Sequence, residues 1–241
     1  MLTENRTMLR VKRLIDLVLV IPGLVILAPL LLFLALLVKL LHGSPVLFRQ
    51  QRPGLRHVPF TILKFRTMTN EKDGAGILLP DEERLTDFGR FLRASSLDEL
   101  PELFNVLKGE MSLVGPRPLY MKYICYYRAK EQKRHAVRPG ITGLAQVRGR
   151  NFLAWDNRLA LDVWYVENWS LWLDIRILLQ TLRSVLRREG VAPNPDLAET
   201  HLDQERRGEA NPRCELRLTS PEIPVSTDPL RPVRRQPEIS S

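Results

Sequence analysis

From residue 17 to residue 38 the chain reads LVLVIPGLVILAPLLLFLALLV, without a single charge. That is the length a bilayer crossing needs, about 20 residues. Pro22, Gly23 and Pro29 lie inside the run, and an interior proline costs about 3 kcal/mol or kinks the helix. Arg10, Lys12 and Arg13 precede it, and Lys39, Arg49, Arg52 and Arg56 follow. Basic flanks belong on the cytoplasmic side of a membrane, so both ends want the same side. A helix broken at Pro29 meets that demand by dipping into one leaflet and returning. Residues 14 to 41 are therefore expected to form a re-entrant hairpin, with a single span as the alternative. Asp16 is expected at the interface, where a carboxylate is cheaper than in hydrocarbon. No small-residue cleavage site follows the run, which speaks against a removed signal peptide.

After Ser44 the periodicity shortens. Residues 46 to 50 are strand-like, Pro53-Gly54 marks a turn, and residues 58 to 65 alternate as a second strand does, which predicts a β-hairpin. Lys64 and Arg66, two residues apart near its end, fall on one strand face. Residues 70 to 83 carry Gly74, Gly76 and several acids with no apolar period, so a loop is expected. Helical spacing resumes over 85 to 92, and Leu97, Leu100, Leu103, Phe104 and Leu107 predict an amphipathic helix. Gly109 is its expected stop. Residues 119 to 137 read as a tyrosine-rich helix and 141 to 151 as a glycine-spaced loop. Residues 171 to 188 are amphipathic and increasingly basic, either a helix lying in a membrane interface or the last core helix. The four tryptophans, Trp155, Trp164, Trp169 and Trp172, fall close together, which suits a headgroup zone as well as a protein core. Beyond Gly190 the chain is polar, proline-rich and aperiodic, the signature of a disordered tail.

Net charge of +9 over 241 residues points to an anionic partner: nucleic acid, an acidic membrane surface or a phosphorylated substrate. Cys125 and Cys214, the two cysteines, are too few for a disulfide framework or zinc cluster and are expected as free thiols. The four histidines, His42, His57, His135 and His201, show no ligand spacing, which argues against a transition-metal site. A hard cation such as magnesium needs only carboxylates.

The carboxylates that stand out are Asp98 and Glu99, at the start of a helical stretch and followed by Gly115-Pro116-Arg117-Pro118. Ser96 and Glu99 have capping-box spacing, and amide donors at a helix start favour an anion. Pro101 complicates this: either the Leu97 carbonyl is left free or the regular helix begins nearer Pro101. The proline-flanked Arg117 has a fixed direction. Acids at a helix start facing a fixed guanidinium make a site for phosphate with a divalent metal. The chain lacks the phosphate-cradling glycine loop with its Lys-Ser/Thr, the dinucleotide glycine fingerprint and any Asp-x-Asp pair. One of two adjacent carboxylates can act as nucleophile or metal ligand and the other as base or second ligand.

The segments KRLIDL, QQRPGL, ILKFRTM, SLDELPELFNVLKGEMSLVGPRP, RPGITGLAQVRGRN and LDVWYVENWSLWLDI, spread from Lys12 to Gly190, resemble the monotopic phosphoglycosyl transferases. These are bacterial enzymes that move a sugar phosphate from a nucleotide sugar to polyprenol phosphate. The resemblance implies an α+β, predominantly helical fold, with an N-terminal re-entrant membrane helix hairpin, a small β-hairpin and interface-lying amphipathic helices. It implies Asp98 as nucleophile, Glu99 as its acidic neighbour, and Lys64, Arg93, Arg117 and Arg150 around the phosphates. Magnesium held by Asp98 and Glu99 is the implied cofactor, with the role of Glu99 open between metal binding and assistance to the second attack. The implied substrates are a UDP-sugar and undecaprenyl phosphate, and the implied location is the cytoplasmic face of the bacterial inner membrane, without nucleic acid. The membrane kink is often Ser-Pro in this family and is Ala28-Pro29 here, which removes a hydroxyl that can satisfy freed backbone groups. The expected division is residues 1–43 for the basic N-terminus and membrane helix, 44–190 for the catalytic domain and 191–241 for the tail. Two other readings remain: a membrane-tethered protein that binds anionic lipid or nucleic acid, and a transferase that works by single displacement.

Cysteines introduced on either flank of residues 14 to 41 are expected to resist a membrane-impermeant thiol reagent applied outside intact cells. Labelling at either flank contradicts the re-entrant topology.

Overall fold

The computed structural model describes residues 5–149, 153–187 and 201–208. Helix α1, Asn5–His42, is one helical element that includes both Pro22 and Pro29. The expected break at Pro29 does not interrupt it. A proline removes one amide donor from the ladder, and here Leu24, Leu27, Leu31 and Leu34 hold the helix against the body on either side of that position. One stripe of α1 does all of this packing. Lys12, Asp16, Val20, Leu31, Leu34, Val38 and His42 are buried, whereas Leu14, Val18, Val25, Ile26, Leu32, Phe33 and Leu40 on the remaining faces are exposed. The stripe runs from residue 12 to residue 42, about 45 Å of helix.

Polar contacts tie both ends of that stripe to the body. Lys12 Nζ reaches Asp174 at 2.5 Å, and Asp16 accepts from the Leu113 amide at 3.2 Å. Asp16 thus faces the protein body. Arg13 donates to the carbonyls of Val106 and Leu107, satisfying acceptors that a helix C-terminus leaves open. At the other end His42 bonds the Arg66 carbonyl and the Thr86 hydroxyl.

The expected hairpin forms from β1, Leu47–Pro53, and β2, Pro59–Phe65, paired antiparallel from Leu47–Phe65 to Pro53–Pro59. The stretch expected as a loop contains one short helix, α2, Asp81–Arg84. Helix α3, Asp87–Ser95, is capped by the Thr86 hydroxyl accepting from the Gly89 amide. Helix α4, Glu102–Lys108, begins after Pro101 and ends at Gly109, whose φ of 85° few side chains tolerate. Asn105 on α4 is fully buried. Its side chain accepts from the Leu63 amide and donates to the Thr61 carbonyl and to Glu110, fastening α4 across β2.

A second sheet was absent from the pattern. Strands β3, Ser112–Val114, and β4, Gly140–Thr142, pair in parallel, and α5, Leu144–Arg148, follows. The glycine-spaced segment is therefore strand and helix. Its glycines permit close approach: a Cβ on Gly140 falls 2.1 Å from the Gly115 amide nitrogen. Residues 119–137 are not the expected helix but two 3-10 turns, Met121–Tyr126 and Glu131–Ala136. Tyr123, Cys125 and Tyr127 bury at every second position, a demand that an α-helix cannot meet. Helices α6, Trp155–Glu167, and α7, Leu171–Arg187, complete the body.

Two further expectations change. Part of the expected disordered tail is docked: α8, Leu202–Glu205, packs Leu202 against Tyr123, Trp155 and Leu159. Cys125 is disulfide-bonded and not a free thiol; Cys214 lies outside the described residues, as does the remainder of 191–241. Spacing along the chain could not show the docking of residues 201–208, because it depends on a late segment returning to the body.

Asn105→Ala strands the Leu63 amide and the Thr61 carbonyl and is expected to destabilise the protein by about 2–3 kcal/mol. A melting temperature indistinguishable from that of the unsubstituted chain contradicts this role.

Candidate active site

Ser96 takes a left-handed conformation, φ 57° and ψ 19°, which ends α3 and turns the chain. The expected capping box is absent, since Ser96 makes no side-chain cap bond. A single 3-10 turn, Leu97–Glu99, follows and carries the two acids. Leu97 and Leu100 on either side pack beneath α1 with Phe65 and Leu92. With those leucines committed to the core, Asp98 and Glu99 line a cavity of 980 Å³ that Lys64, Arg93 and Arg117 also line.

One oxygen of Glu99 organises the charges. Its Oε1 accepts from Lys64 Nζ at 2.6 Å and from an Arg117 Nη at 2.6 Å. Burial alone raises the pKa of Glu99, yet Arg117 and Lys64 overcome it and hold the group well below the usual carboxylate range. Asp98 is in the opposite condition. Burial first, and then the anionic Glu99 beside it, push its carboxyl up to about 6, although Lys64, Arg117 and Arg93 oppose the rise. Helix-start amides are not among the causes that set its ionisation. Asp98 remains largely a carboxylate at neutral pH, with a basicity well above that of an ordinary aspartate.

A third carboxyl completes the group. Glu102 is 1% exposed, its Oε1 is 3.3 Å from Lys64 Nζ, and the same atom has no hydrogen-bond partner. Burial raises its pKa to about 7. Sequence reasoning passed over Glu102, although it lies four residues after Asp98 and three after Glu99, on the same side of a helical turn. The set offers hard oxygen donors, which suits magnesium. Among the described residues no group of three or more His, Cys, Asp or Glu side chains is gathered closely enough to hold a metal ion, so Asp98 and the second oxygen of Glu99 are the donors left for one.

The other named residues divide. Arg93 donates from Nε to the Thr67 hydroxyl at 3.1 Å and lines the cavity. Arg117 is supported from behind: Arg134, buried and paired with Asp162 at 2.7 Å, donates to the Arg117 carbonyl at 2.7 Å. Arg150 lies outside the described residues. Arg66, on the strand face with Lys64 in the sequence pattern, instead donates to the carbonyls of His42, Pro45 and Met68 and serves structure. Pro29 lies within α1 and is not among the residues that line the cavity. Arg52, Tyr120, Tyr123 and His201 also line the cavity, and no local spacing signalled them.

A family model described as bacterial sugar transferase matches residues 7–188. The chain is 56% identical over 180 residues to the "Uncharacterized sugar transferase EpsL" of Bacillus subtilis, covering 75% of this chain and 89% of that one. It is 46% identical over 185 residues to the UDP-glucose:undecaprenyl-phosphate glucose-1-phosphate transferase of Caulobacter vibrioides, covering 73% and 69%. It is 42% identical over 199 residues to the undecaprenyl-phosphate galactose phosphotransferase of Salmonella typhimurium, covering 74% of this chain and 41% of that protein.

If ionised Asp98 is the reacting group, activity is expected to fall as pH drops through about 6, because protonation removes the reactive lone pair. A rate that stays level down to pH 4.5, measured where the protein is still folded, contradicts the assignment.

Proposed function

Because the chain belongs to the bacterial sugar transferase family, we propose that it is a phosphoglycosyl transferase that moves a hexose 1-phosphate from a UDP-sugar to undecaprenyl phosphate. The hexose follows from the glucose and galactose in the names of its relatives. The observation that carries the reading is the geometry of the acid pair: Glu99 is held between Lys64 and Arg117, each at 2.6 Å, and Asp98 beside it lines a cavity that Lys64, Arg93 and Arg117 also line.

In the first step an oxygen of Asp98 forms a bond to the β-phosphorus and the bond to the bridging oxygen breaks. UMP leaves with that electron pair, and a sugar-phosphate ester of Asp98 remains. A phosphate oxygen of undecaprenyl phosphate then attacks the same phosphorus. Asp98 departs as a carboxylate, and the product is an undecaprenyl diphosphate sugar. Both attacks bring anion to anion, so Lys64, Arg93 and Arg117 must neutralise charge in each. Arg150 is assigned to the same phosphates. Glu99 fixes Lys64 and Arg117. Magnesium, when bound, supplies further charge neutralisation at the diphosphate.

The acceptor is a lipid, and the shape of the protein suits it. The body lies along the α1 stripe from Lys12 to His42, so a perpendicular span would carry much of the catalytic body into hydrocarbon. We place α1 in the cytoplasmic leaflet with both basic flanks on the cytoplasmic side, as a re-entrant, monotopic element; the helix is unbroken at Pro29, and the amide donor missing there is what would let it bend. The exposed Trp172, Ile175, Leu179 and Leu182 of α7 make it an interface-lying helix. Residues 1–43 then form the membrane unit and 44–190 the catalytic unit.

Asp98→Asn is expected to abolish turnover and exchange of labelled UMP into the UDP-sugar without lipid, while the protein keeps its far-UV spectrum. Mass spectrometry of the unsubstituted enzyme mixed with UDP-sugar alone is expected to find the sugar phosphate on Asp98; an adduct elsewhere, or none, overturns the covalent route. EDTA is expected to stop both half-reactions, and activity in its presence contradicts the metal assignment.

A further inference from the structure

Residues 201–208 return to the catalytic body from beyond the stretch that the family model matches, which ends at residue 188. The docking is specific. Leu202 is fully buried. Arg206, 3% exposed, donates to Glu131 at 2.7 and 2.9 Å and to the Tyr126 carbonyl at 2.9 Å, and it also pairs with Asp156. Lys122 pairs with Asp203 at 2.8 Å. A buried two-pronged guanidinium–carboxylate pair is costly to leave half-made, so this segment is held in one place.

Its first residue is put to use there. His201 lines the same cavity as Asp98 and Arg117. Its Nδ1 is 2.8 Å from the Tyr123 hydroxyl. Burial, with Asp203 nearby, pushes the Tyr123 phenol up and keeps its proton in place. When that hydroxyl donates to Nδ1, the ring carries its own proton on Nε2. No described contact takes that N–H. Beside it, Tyr120 stands edge-on to His201 at 6.2 Å and to Tyr123 at 5.4 Å, with the Arg52 guanidinium 3.9 Å from its ring centroid. A cation-backed aromatic ring next to a fixed N–H donor suits a flat heterocycle that bears carbonyl oxygens. Tyr120 lies three positions after Arg117, which was assigned to the phosphates.

We propose that residues 201–208 complete the nucleoside end of the donor site, with Tyr120 as platform and the Nε2–H of His201 donating to a carbonyl of the donor's base. The inference rests on the nucleotide-sugar reading above and extends the site beyond the family-matched region.

The test is calorimetric binding of UMP to the full chain in detergent, for the unsubstituted protein and for His201→Ala, His201→Gln and Arg206→Ala. His201→Ala is expected to weaken UMP about tenfold. Glutamine, which can place an N–H near the same point, is expected to recover most of that loss. Arg206→Ala releases the segment and is expected to match His201→Ala. Inhibition by pyrophosphate, which has no base, and the KM for undecaprenyl phosphate are expected to stay unchanged in all three. Equal UMP affinity in His201→Ala and the unsubstituted chain overturns this inference and leaves the donor reading standing. A loss that glutamine does not recover overturns the hydrogen bond, and a change confined to the lipid substrate overturns the placement. Absence of UMP binding by the unsubstituted chain overturns the donor reading together with the inference.

Discussion

Lys64 and Arg117 converge on a single oxygen of Glu99, and the chemistry of the cavity follows from that pairing. A buried carboxylate costs several kcal/mol unless it is paired, and Glu99 has two partners within 2.6 Å. Asp98, in the adjacent position on the same turn, has its neighbour's negative charge added to its own desolvation. Two groups with similar intrinsic acidity are thereby driven apart. The same pairing fixes Lys64 and Arg117 on the wall of the cavity that Asp98 lines, so that in the proposed reaction one acid positions the cations that assist the other.

Much of the fold serves to keep those three side chains in register. Lys64 comes from β2, and Asn105 bolts β2 to α4 through the backbone of Thr61 and Leu63. Glu99 is on the 3-10 turn that enters α4, under the leucines packed by α1. Arg117 follows β3, and Arg134 braces its carbonyl from the two 3-10 turns beyond. Helix α1 is part of this scaffold as well as the membrane element, because Arg13 caps the carbonyls at the end of α4 and Asp16 takes the Leu113 amide just before β3 ends. The exposed apolar faces of α1 and the order of the site are therefore linked through one helix.

Much of this was legible in the order of residues, wherever a contact is local or a pattern repeats. The apolar run of α1, the alternation of β1 and β2, the stop at Gly109 and the adjacency of Asp98 and Glu99 are all properties of neighbours in the chain. The possible late start of α4 after Pro101 belongs to the same class, since a missing amide donor acts within one turn. Lys64, Arg93 and Arg117 were named by resemblance, and the structure brings all three to the cavity with Asp98.

Other features depend on partners far away in the chain. Burial raised the pKa of Asp98 and made Glu102 a member of the group, and burial is set by which elements close over a residue. Tyr123, Cys125 and Tyr127 share one side only because the body against which they pack exists, so the 3-10 turns there have no local signature. The parallel pairing of β3 with β4 joins Ser112 to Gly140, and the return of His201 and Arg206 joins the end of the described chain to Tyr123 and Glu131. Local pattern specified which segments are helical, which are apolar and where two acids stand side by side. Long-range packing specified which acid is the more basic and what encloses it, because desolvation and ion pairing depend on distance in space and not on distance along the chain.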